Sequence, residues 1–315
     1  MTTASRSIPQ PGRATSRFDA SAVRTRRRRV AGVIVVLIGL VAVWEAAKWL
    51  GGDPWRLHGK IAGMQVDYDH TPPFAWRIAS DLSLPHVWDI ARAFVDPAQR
   101  GGPPLVAVLA GQAAFTFGEA LAGFALGGLL GLGLGILFVH SRLAERAFVP
   151  YVVASQTVPI LAIAPLVVVA LKADWLSVMA VATYLTFFPV TIASLRGLRA
   201  FDPRALELFR SYAATRRQVL VELRLPTSVP YLFSGFRVAA AASVIGAIIG
   251  EQTAGVASGL GSAIINYNQY YISGPEKLWA TMVMCTLVGF VFVGLVNLAE
   301  RVLTRGRYRP VEGLL

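Results

Sequence analysis

Six apolar runs separated by polar segments predict an all-α integral membrane protein with six transmembrane helices and both termini in the cytoplasm. Three observations carry that prediction. Hydrophobic residues make up 55% of the sequence and charged residues only 15%, where an ordinary soluble domain is about 25% charged. Each run is long enough to cross a hydrocarbon core, which takes roughly 20 residues at 1.5 Å rise per residue. The basic residues are also unevenly placed. Twenty-one fall in segments that this topology assigns to the cytoplasm, seven fall outside, and Lys48 and Arg237 lie within runs; cytoplasmic flanks are where Lys and Arg accumulate. That bias accounts for a net charge of +12 with no need of nucleic acid. The lone Cys285 excludes an internal disulfide and a cysteine-built metal site.

The N-terminal arm, 1–29, is rich in Ser, Thr, Arg and Pro as far as residue 23 and reads as disordered, ending in Arg24, Arg26, Arg27, Arg28 and Arg29. The first span, 30–50, follows. A cleaved secretory signal competes for this stretch, since a basic region precedes apolar residues and Ala46 and Ala47 are small. The run has the length of a full span, however, and carries Trp44 and Trp49 near its outer end, where aromatic anchors belong. The outer segment 51–104 holds Trp55, Trp76, Trp88, His58, His70, His86 and six aspartates. It reads as a small helical cap with an amphipathic piece at 86–94. The histidines lack the i, i+4 spacing of a helical zinc site, so no metal is assigned; a surface touching an external solute-binding protein is the alternative.

The core, 105–303, contains the other five spans. In the second, 113–139, Gly123, Gly127, Gly131 and Gly135 recur every fourth residue, which stacks them on one face and lets another helix approach closely. These glycines are assigned to helix packing. A phosphate-binding loop is set aside, because its glycines must link a strand to a helix. The third span, 149–171, holds Pro150, Pro159 and Pro165 with Ser155, Gln156 and Thr157 near mid-membrane. Internal prolines free backbone carbonyls and bend a helix, and such breaks persist where they line a cavity or are buried in protein. Ser155, Gln156, Thr157 and Pro159 are therefore candidates for a pathway wall. Bonding to neighbouring helices, with prolines merely setting curvature, explains them equally well. Thr183 and Tyr184 of the fourth span, 176–195, are candidates for the same cavity, as is Thr186.

Ionisable residues inside spans need partners, because an unpaired charge in lipid costs several kcal/mol. Glu119 lies toward the outer part of the second span, Arg237 about two turns into the fifth (230–250), and Glu251 at the fifth span's outer end. Fourteen residues, about 21 Å of helix, separate Arg237 from Glu251, so they cannot pair. Arg237 is expected to snorkel to the inner headgroups, and Glu251 is a candidate solute-facing or outer-gate residue. The sixth span is 278–303 and the tail 304–315 is cytoplasmic.

Between the fourth and fifth spans, within the inner loop 197–229, lies DPRALELFRSYAATRRQVLVELRLP. Asp202 and Pro203 make a helix start, a second helix fits 217–225, and Pro226 is expected to end it. Leu206, Phe209, Tyr212 and Ala213 share a face at three- and four-residue spacing, rimmed by Arg210, Arg216 and other arginines. Such a ridge suits a groove on a partner protein; a helix lying on anionic lipid would use the same residues.

The segment resembles the signature loop of ABC importer permeases, in which a glutamate and two alanines are followed by a glycine and, further on, an aliphatic residue and a Leu-Pro pair. Glu207, Leu223, Leu225 and Pro226 match at the family's spacing; Leu208 and Phe209 replace the two alanines and Ala213 replaces the glycine. The likeness runs from about residue 117 to 301, through SQTVPILAIAPL, FFPVTIASLRGL, LPTSVPYLFSGFRVAAAASVIGAIIGE and SGLGSAII, which look like the subgroup serving nitrate, sulfonate and taurine. SQTVP, FSGFR and GPEKLWAT also look like permeases for pyrimidine-type thiamine precursors.

The resemblance implies a type I ABC importer permease of the bacterial inner membrane, a half-channel that pairs with a second copy. It would dock two cytosolic ATPases through a coupling helix at 207–226 and receive solute from an external binding protein. No Walker-type loop occurs in the sequence, so this chain is expected to be no enzyme and to bind no cofactor, with ATP and Mg belonging to the partner. An ATPase-independent secondary transporter is the alternative; its halves should repeat, and no repeat is visible. A membrane-embedded enzyme would need a convergent acid, base or metal set, which Glu119 and Glu251 alone do not make.

Overall fold

The structure, a computed structural model, describes residues 16–61, 64–172 and 174–304. The chain divides into two compact units, residues 1–87 and 88–315.

In the first unit, helix α1 runs over Ser16–Gly51. It thus takes in residues 16–29, which the composition had placed in a disordered arm; residues 1–15 lie outside the described residues. Ala and Arg favour helix, and a helix already nucleated in the apolar run extends at one hydrogen bond per residue fixed. The segment after α1 is no purely helical cap. Strands β1 (Trp55–Ile61) and β2 (Met64–His70) pair antiparallel in the register Trp55↔His70 to Ile61↔Met64. Apolar residues at 55, 57 and 61, and at 64, 66 and 68, alternate with polar ones, the period of two that makes a strand. A 3₁₀ turn follows at Arg77–Ala79. Residues 81–87 are strapped to the last turns of α1. The buried Lys48 ammonium donates to Asp81 Oδ1 (2.5 Å) and to the Leu84 carbonyl (2.6 Å). Glu45 accepts from Val87 N (2.9 Å) and meets His86 Nδ1 (2.7 Å), and Trp44 Nε1 donates to the Pro85 carbonyl.

The second unit begins within α2 (Val87–Ala93), taking all but its first residue, in the stretch read as amphipathic, with Ile90 and Ala93 buried. Its body is made of α3 (Leu105–His140), α4 (Arg142–Ser155), α5 (Ile160–Leu171), α6 (Trp175–Gly197), α7 (Pro203–Ser211), α8 (Arg216–Gln218), a π-helical turn at Val219–Arg224, α9 (Leu225–Ala254), α10 (Leu260–Gln269) and α11 (Pro275–Thr304). Among the described residues five helices are long and apolar enough to cross a membrane, and six spans result if the bent pair α4 and α5 is counted as one.

Of the two readings of 149–171, a break at its prolines and a helix merely curved by them, the structure shows the break. The chain breaks at residues 156–159, and α4 and α5 meet at 101°. Pro159 has no N–H to donate and disfavours a helical residue before it, so the ladder stops and restarts with Pro159 as the extended N-cap of α5. Pro150 and Pro165, in contrast, stay inside α4 and α5.

Helix α6 packs closely against both α3 and α9, which also touch each other. Gly123, Gly127, Gly131 and Gly135 of α3 all face α6. A Cβ on Gly127 would stand 2.6 Å from Thr186 Cβ, and one on Gly131 2.6 Å from the Phe187 carbonyl. From α9, Gly246 and Gly250 abut the Ala182 and Val178 backbones, and Gly235 meets Ala193. Ala182 is therefore approached by glycines from both flanking helices, Gly123 and Gly246. Lipid tails provide no hydrophobic drive for helix association, so close backbone approach at small residues is what holds such helices together. We predict that Gly131→Leu lowers the melting temperature of the detergent-solubilised protein by ~5 °C or more, given about 1–3 kcal/mol for an overpacked contact. Gly133→Leu, whose position has no neighbour within 4 Å, should leave it nearly unchanged; equal melting of the two variants would contradict the packing account.

Candidate functional site

The polar loop between α6 and α9 folds as two helical pieces joined by a tight turn. Asp202 caps α7, its side chain accepting from Arg204 N (2.9 Å), and Pro203 occupies the first turn where no donor is missed. The turn is made at Ala213, whose φ of +52° is left-handed. A glycine takes that conformation freely, whereas an alanine adopts it only under constraint, at roughly 1 kcal/mol. Thr215 then opens α8 through a reciprocal capping box with Gln218.

Pro226 does not end the second helix. The chain continues from Arg216 to Ala254 as one apolar-cored span of 39 residues, so the expected stop at 225–226 is corrected. The π turn is what allows this: Leu225 N donates five residues back, to the Leu220 carbonyl, and Pro226 sits in the first turn of α9, where its missing N–H is tolerated. A proline at that position therefore marks a register change.

Glu207, Leu208, Arg210, Tyr212, Ala213, Arg216 and Pro226 are exposed, and Phe209, Leu223 and Leu225 are half-buried. The apolar ridge read from spacing is accordingly divided. Leu206 and Phe209 are partly covered, while Leu208 (56% exposed) and Tyr212 (79%) stand out. The loop is tied to its surroundings at two points. Arg224 lies 4.8 Å over the Phe201 ring and donates to the Leu198 carbonyl at the end of α6. Arg199 grips Glu145 of α4 with both guanidinium nitrogens, at 2.8 and 2.6 Å, and that carboxylate raises the pKa of Arg199 further. Neither tie was legible in the sequence, because each joins residues far apart in the chain.

A second feature sits at the α4–α5 break. Ser155, Gln156 and Val158 from the break and Tyr184, Leu185 and Phe188 from α6 line a cavity of about 280 Å³. The Tyr184 hydroxyl donates to the Ser155 carbonyl at 2.5 Å, satisfying a backbone acceptor that the break releases. Of the candidate pathway residues, Ser155, Gln156 and Tyr184 come together here. Thr157 is exposed, its hydroxyl donating to the Ala154 carbonyl, and Pro159 caps α5. Thr183 and Thr186 are not among the lining residues; Thr186 is buried against Gly127, with its hydroxyl on the Ala182 carbonyl. The lining is uncharged and offers one amide, two hydroxyls and two aromatic rings.

Glu251 lies elsewhere. It is fully buried and its Oε2 accepts from Gly261 N at 2.6 Å, so it lines no part of this cavity. Arg237 does not snorkel; it pairs with Glu300 of α11 at 2.7 Å, beside Asn297. No spacing rule links residues 63 positions apart.

The family described as "Binding-protein-dependent transport system inner membrane component" matches residues 123–307. The formylaminopyrimidine transport permease protein ThiX of Halalkalibacterium halodurans is 40% identical over 139 residues, 44% of this chain and 55% of that protein. The chain thus spans about half the length of that relative. The riboflavin transport system permease protein RibX of Chloroflexus aurantiacus is 35% identical over 192 residues, 60% of this chain and 70% of that one. An inward-facing structure of the MetNI methionine ABC transporter shares the fold, with a TM-score of 0.51 at 18% identity over 65% of this chain and 96% of its own.

Replacing Ala213 by glycine removes the left-handed penalty while keeping the turn. We predict that Ala213→Gly raises the melting temperature by ~2–4 °C, the equivalent of about 1 kcal/mol. A fall in melting temperature would show that the turn does not rest on that backbone geometry.

Proposed function

Because the chain belongs to the family of binding-protein-dependent transport system inner membrane components, we propose that this ABC importer permease takes a small planar nitrogen heterocycle through the cavity at the α4–α5 break, driven by cytosolic ATPases docked on α7 and α8. The observation that carries the coupling assignment is the exposed turn from Glu207 to Pro226. It presents Leu208 and Tyr212 outward beside Glu207, Arg210 and Arg216, an apolar tip with a charged rim of the kind that fills a groove on a partner. On this reading both termini and the turn face the cytoplasm, the basic residues being concentrated there.

The substrate class rests on the lining. Tyr184 and Phe188 supply ring faces for stacking, Gln156 supplies an amide that donates and accepts, and no Lys or Arg lines the space to neutralise an anion. The relatives at 40% and 35% identity carry heterocycle names, formylaminopyrimidine and riboflavin. An anion of the nitrate or sulfonate kind is the second reading, favoured by the likeness of the segments from SQTVPILAIAPL to SGLGSAII. In either case an external binding protein delivers the solute, a second copy of the chain completes the channel, and ATP with Mg is bound by the partner ATPase.

Coupling then follows from connections on α6. Arg224 joins the loop to Leu198, and Arg199 joins the same end of α6 to α4. A push on α7 and α8 reaches both walls of the cavity, since Tyr184 and Phe188 ride on α6 and Ser155 ends α4.

Glu207→Lys should leave the protein inserted and folded but abolish capture of the cognate ATPase subunit. Solute-stimulated ATP hydrolysis in reconstituted vesicles should fall by at least about tenfold, equivalent to roughly 1.4 kcal/mol of lost binding. Normal capture and hydrolysis by this variant would remove the docking assignment.

A further inference from the structure

Glu119 on α3 and Glu251 on α9 are both 0% exposed, and their carboxyl groups lie within hydrogen-bonding reach of each other. Glu251 Oε2 accepts from Gly261 N at 2.6 Å. The remaining three oxygens, both of Glu119 and Oε1 of Glu251, have no well-aligned donor among the described residues; the Thr116 hydroxyl neighbours Glu251 but donates to the Gln112 carbonyl. Neither carboxyl forms an ion pair with a Lys, Arg or His among those residues, although Arg237, Arg199 and Lys48 all do so with other carboxylates. The other groups facing the pair are neutral: Gln112 and Thr116 of α3, the first residues of α10, and the Cys285 thiol of α11.

Two buried carboxylates meeting with no donor between them and no cation nearby are not a stable arrangement, since each repels the other and neither recovers its lost hydration. Two neutral acids would discard a charge that the site can use. The backbone N–H groups of Gly259, Leu260 and Gly261 open α10, and each is accepted by a side-chain oxygen from another helix: Gln112 Oε1, Thr116 Oγ1 (2.8 Å) and Glu251 Oε2. A row of main-chain N–H groups at a helix start favours one negative charge. The SGLG segment is shaped for this. Gly259 has φ +108°, and a Cβ there would strike the Glu251 carboxyl; one on Gly261 would strike the Ile248 carbonyl.

We propose that Glu119 and Glu251 hold one proton between them, as an acid hydrogen-bonded to a carboxylate, and that the single charge left on the pair fastens the N-terminus of α10 to α3 and α9. The shared proton gives the orphaned oxygens a donor, and the carboxylate oxygen already on Gly261 N stays in place. Helix α10 packs against α3, α9 and α11, so this proton site is a structural pin at the end of α9 remote from the inner loop. It is independent of the substrate and of ATPase docking.

The test is infrared absorption of the full chain in lipid nanodiscs at neutral pH, with isotope-labelled glutamate. A protonated carboxyl stretch is expected in the wild type and should vanish in E119Q, where a Gln amide donates to a now fully charged Glu251. Melting of E119Q should stay within ~2 °C of wild type, while E119A, which leaves Oε1 of Glu251 without a donor, should fall by ~5 °C or more. Absence of the stretch in the wild type, or its persistence in E119Q, would overturn the proposal. So would a rise in wild-type melting on replacing choline by sodium that E119Q abolishes, which would make the pair a metal-cation site.

Discussion

Close backbone approach along α6 is the constraint on which the rest of the second unit depends. Apolar side chains gain little hydrophobic energy by leaving lipid for one another, so helices associate where small residues let the main chains meet. Here α3 contributes a glycine every fourth residue to its seam with α6, and α9 contributes Gly235, Gly246 and Gly250 to its own. The result is a three-helix core in which α6 meets both partners at Ala182 and the partners also touch each other. Contacts that close cannot slide by fractions of a side chain; they hold or they break. That rigidity gives α6 a mechanical meaning, because its free face carries Tyr184 and Phe188 while the residues just beyond its last turn, Leu198 and Arg199, connect to Arg224 and Glu145. Tyr184 and Leu198 are fourteen residues apart, about 21 Å along the helix axis, and a stiff rod can transmit displacement over that length without a chain of separate side-chain switches.

Charged groups inside the apolar region reach partners on other elements, whereas hydroxyls such as those of Thr186 and Thr191 bond back to their own helix. Arg237 of α9 pairs with Glu300 of α11. Farther along α9, Glu251 serves the first N–H groups of α10 together with Gln112 and Thr116 of α3. Helix α9 is thereby held by polar contacts near its middle and close to its end, and the stretch between them by glycine contacts. In the first unit, Lys48 and Glu45 play the corresponding part, fixing residues 81–87 to the end of α1 through Asp81, His86 and two main-chain groups.

Much of the helical scaffold was legible in the sequence, because long apolar runs and periodic glycines report on what a segment touches locally. Long-range partners were not. The spacing of Gly123 to Gly135 announces a close helix contact, but nothing in it says that α6 is the helix met. Prolines were the least dependable guide. Pro159 breaks a helix outright, Pro150 and Pro165 do not, and Pro226 follows a π turn that absorbs its missing donor. The outcome depends on where the freed carbonyl finds a donor, which is a tertiary matter: at residue 155 it is the Tyr184 hydroxyl. The hairpin at 55–70 was missed for a different reason, since its alternation was present but outweighed by the expectation of helix set by the rest of the chain. At Ala213 the departure from glycine left the turn in place, with a left-handed alanine. The cavity was half visible, with Ser155, Gln156 and Tyr184 identified from polarity and Val158, Leu185 and Phe188 supplied only by the fold.

On the proposed function, the turn at 207–226 is a cytoplasmic handle for a separate ATPase. Its sidedness is the most direct thing to measure. Tyr212→Cys in a Cys285→Ser background places one thiol on the most exposed aromatic position of the turn, to be challenged with a membrane-impermeant maleimide. Labelling in inside-out vesicles, protection in intact spheroplasts, and loss of labelling when the cognate ATPase is added are the predicted results. Labelling of intact spheroplasts from the outside would contradict the account.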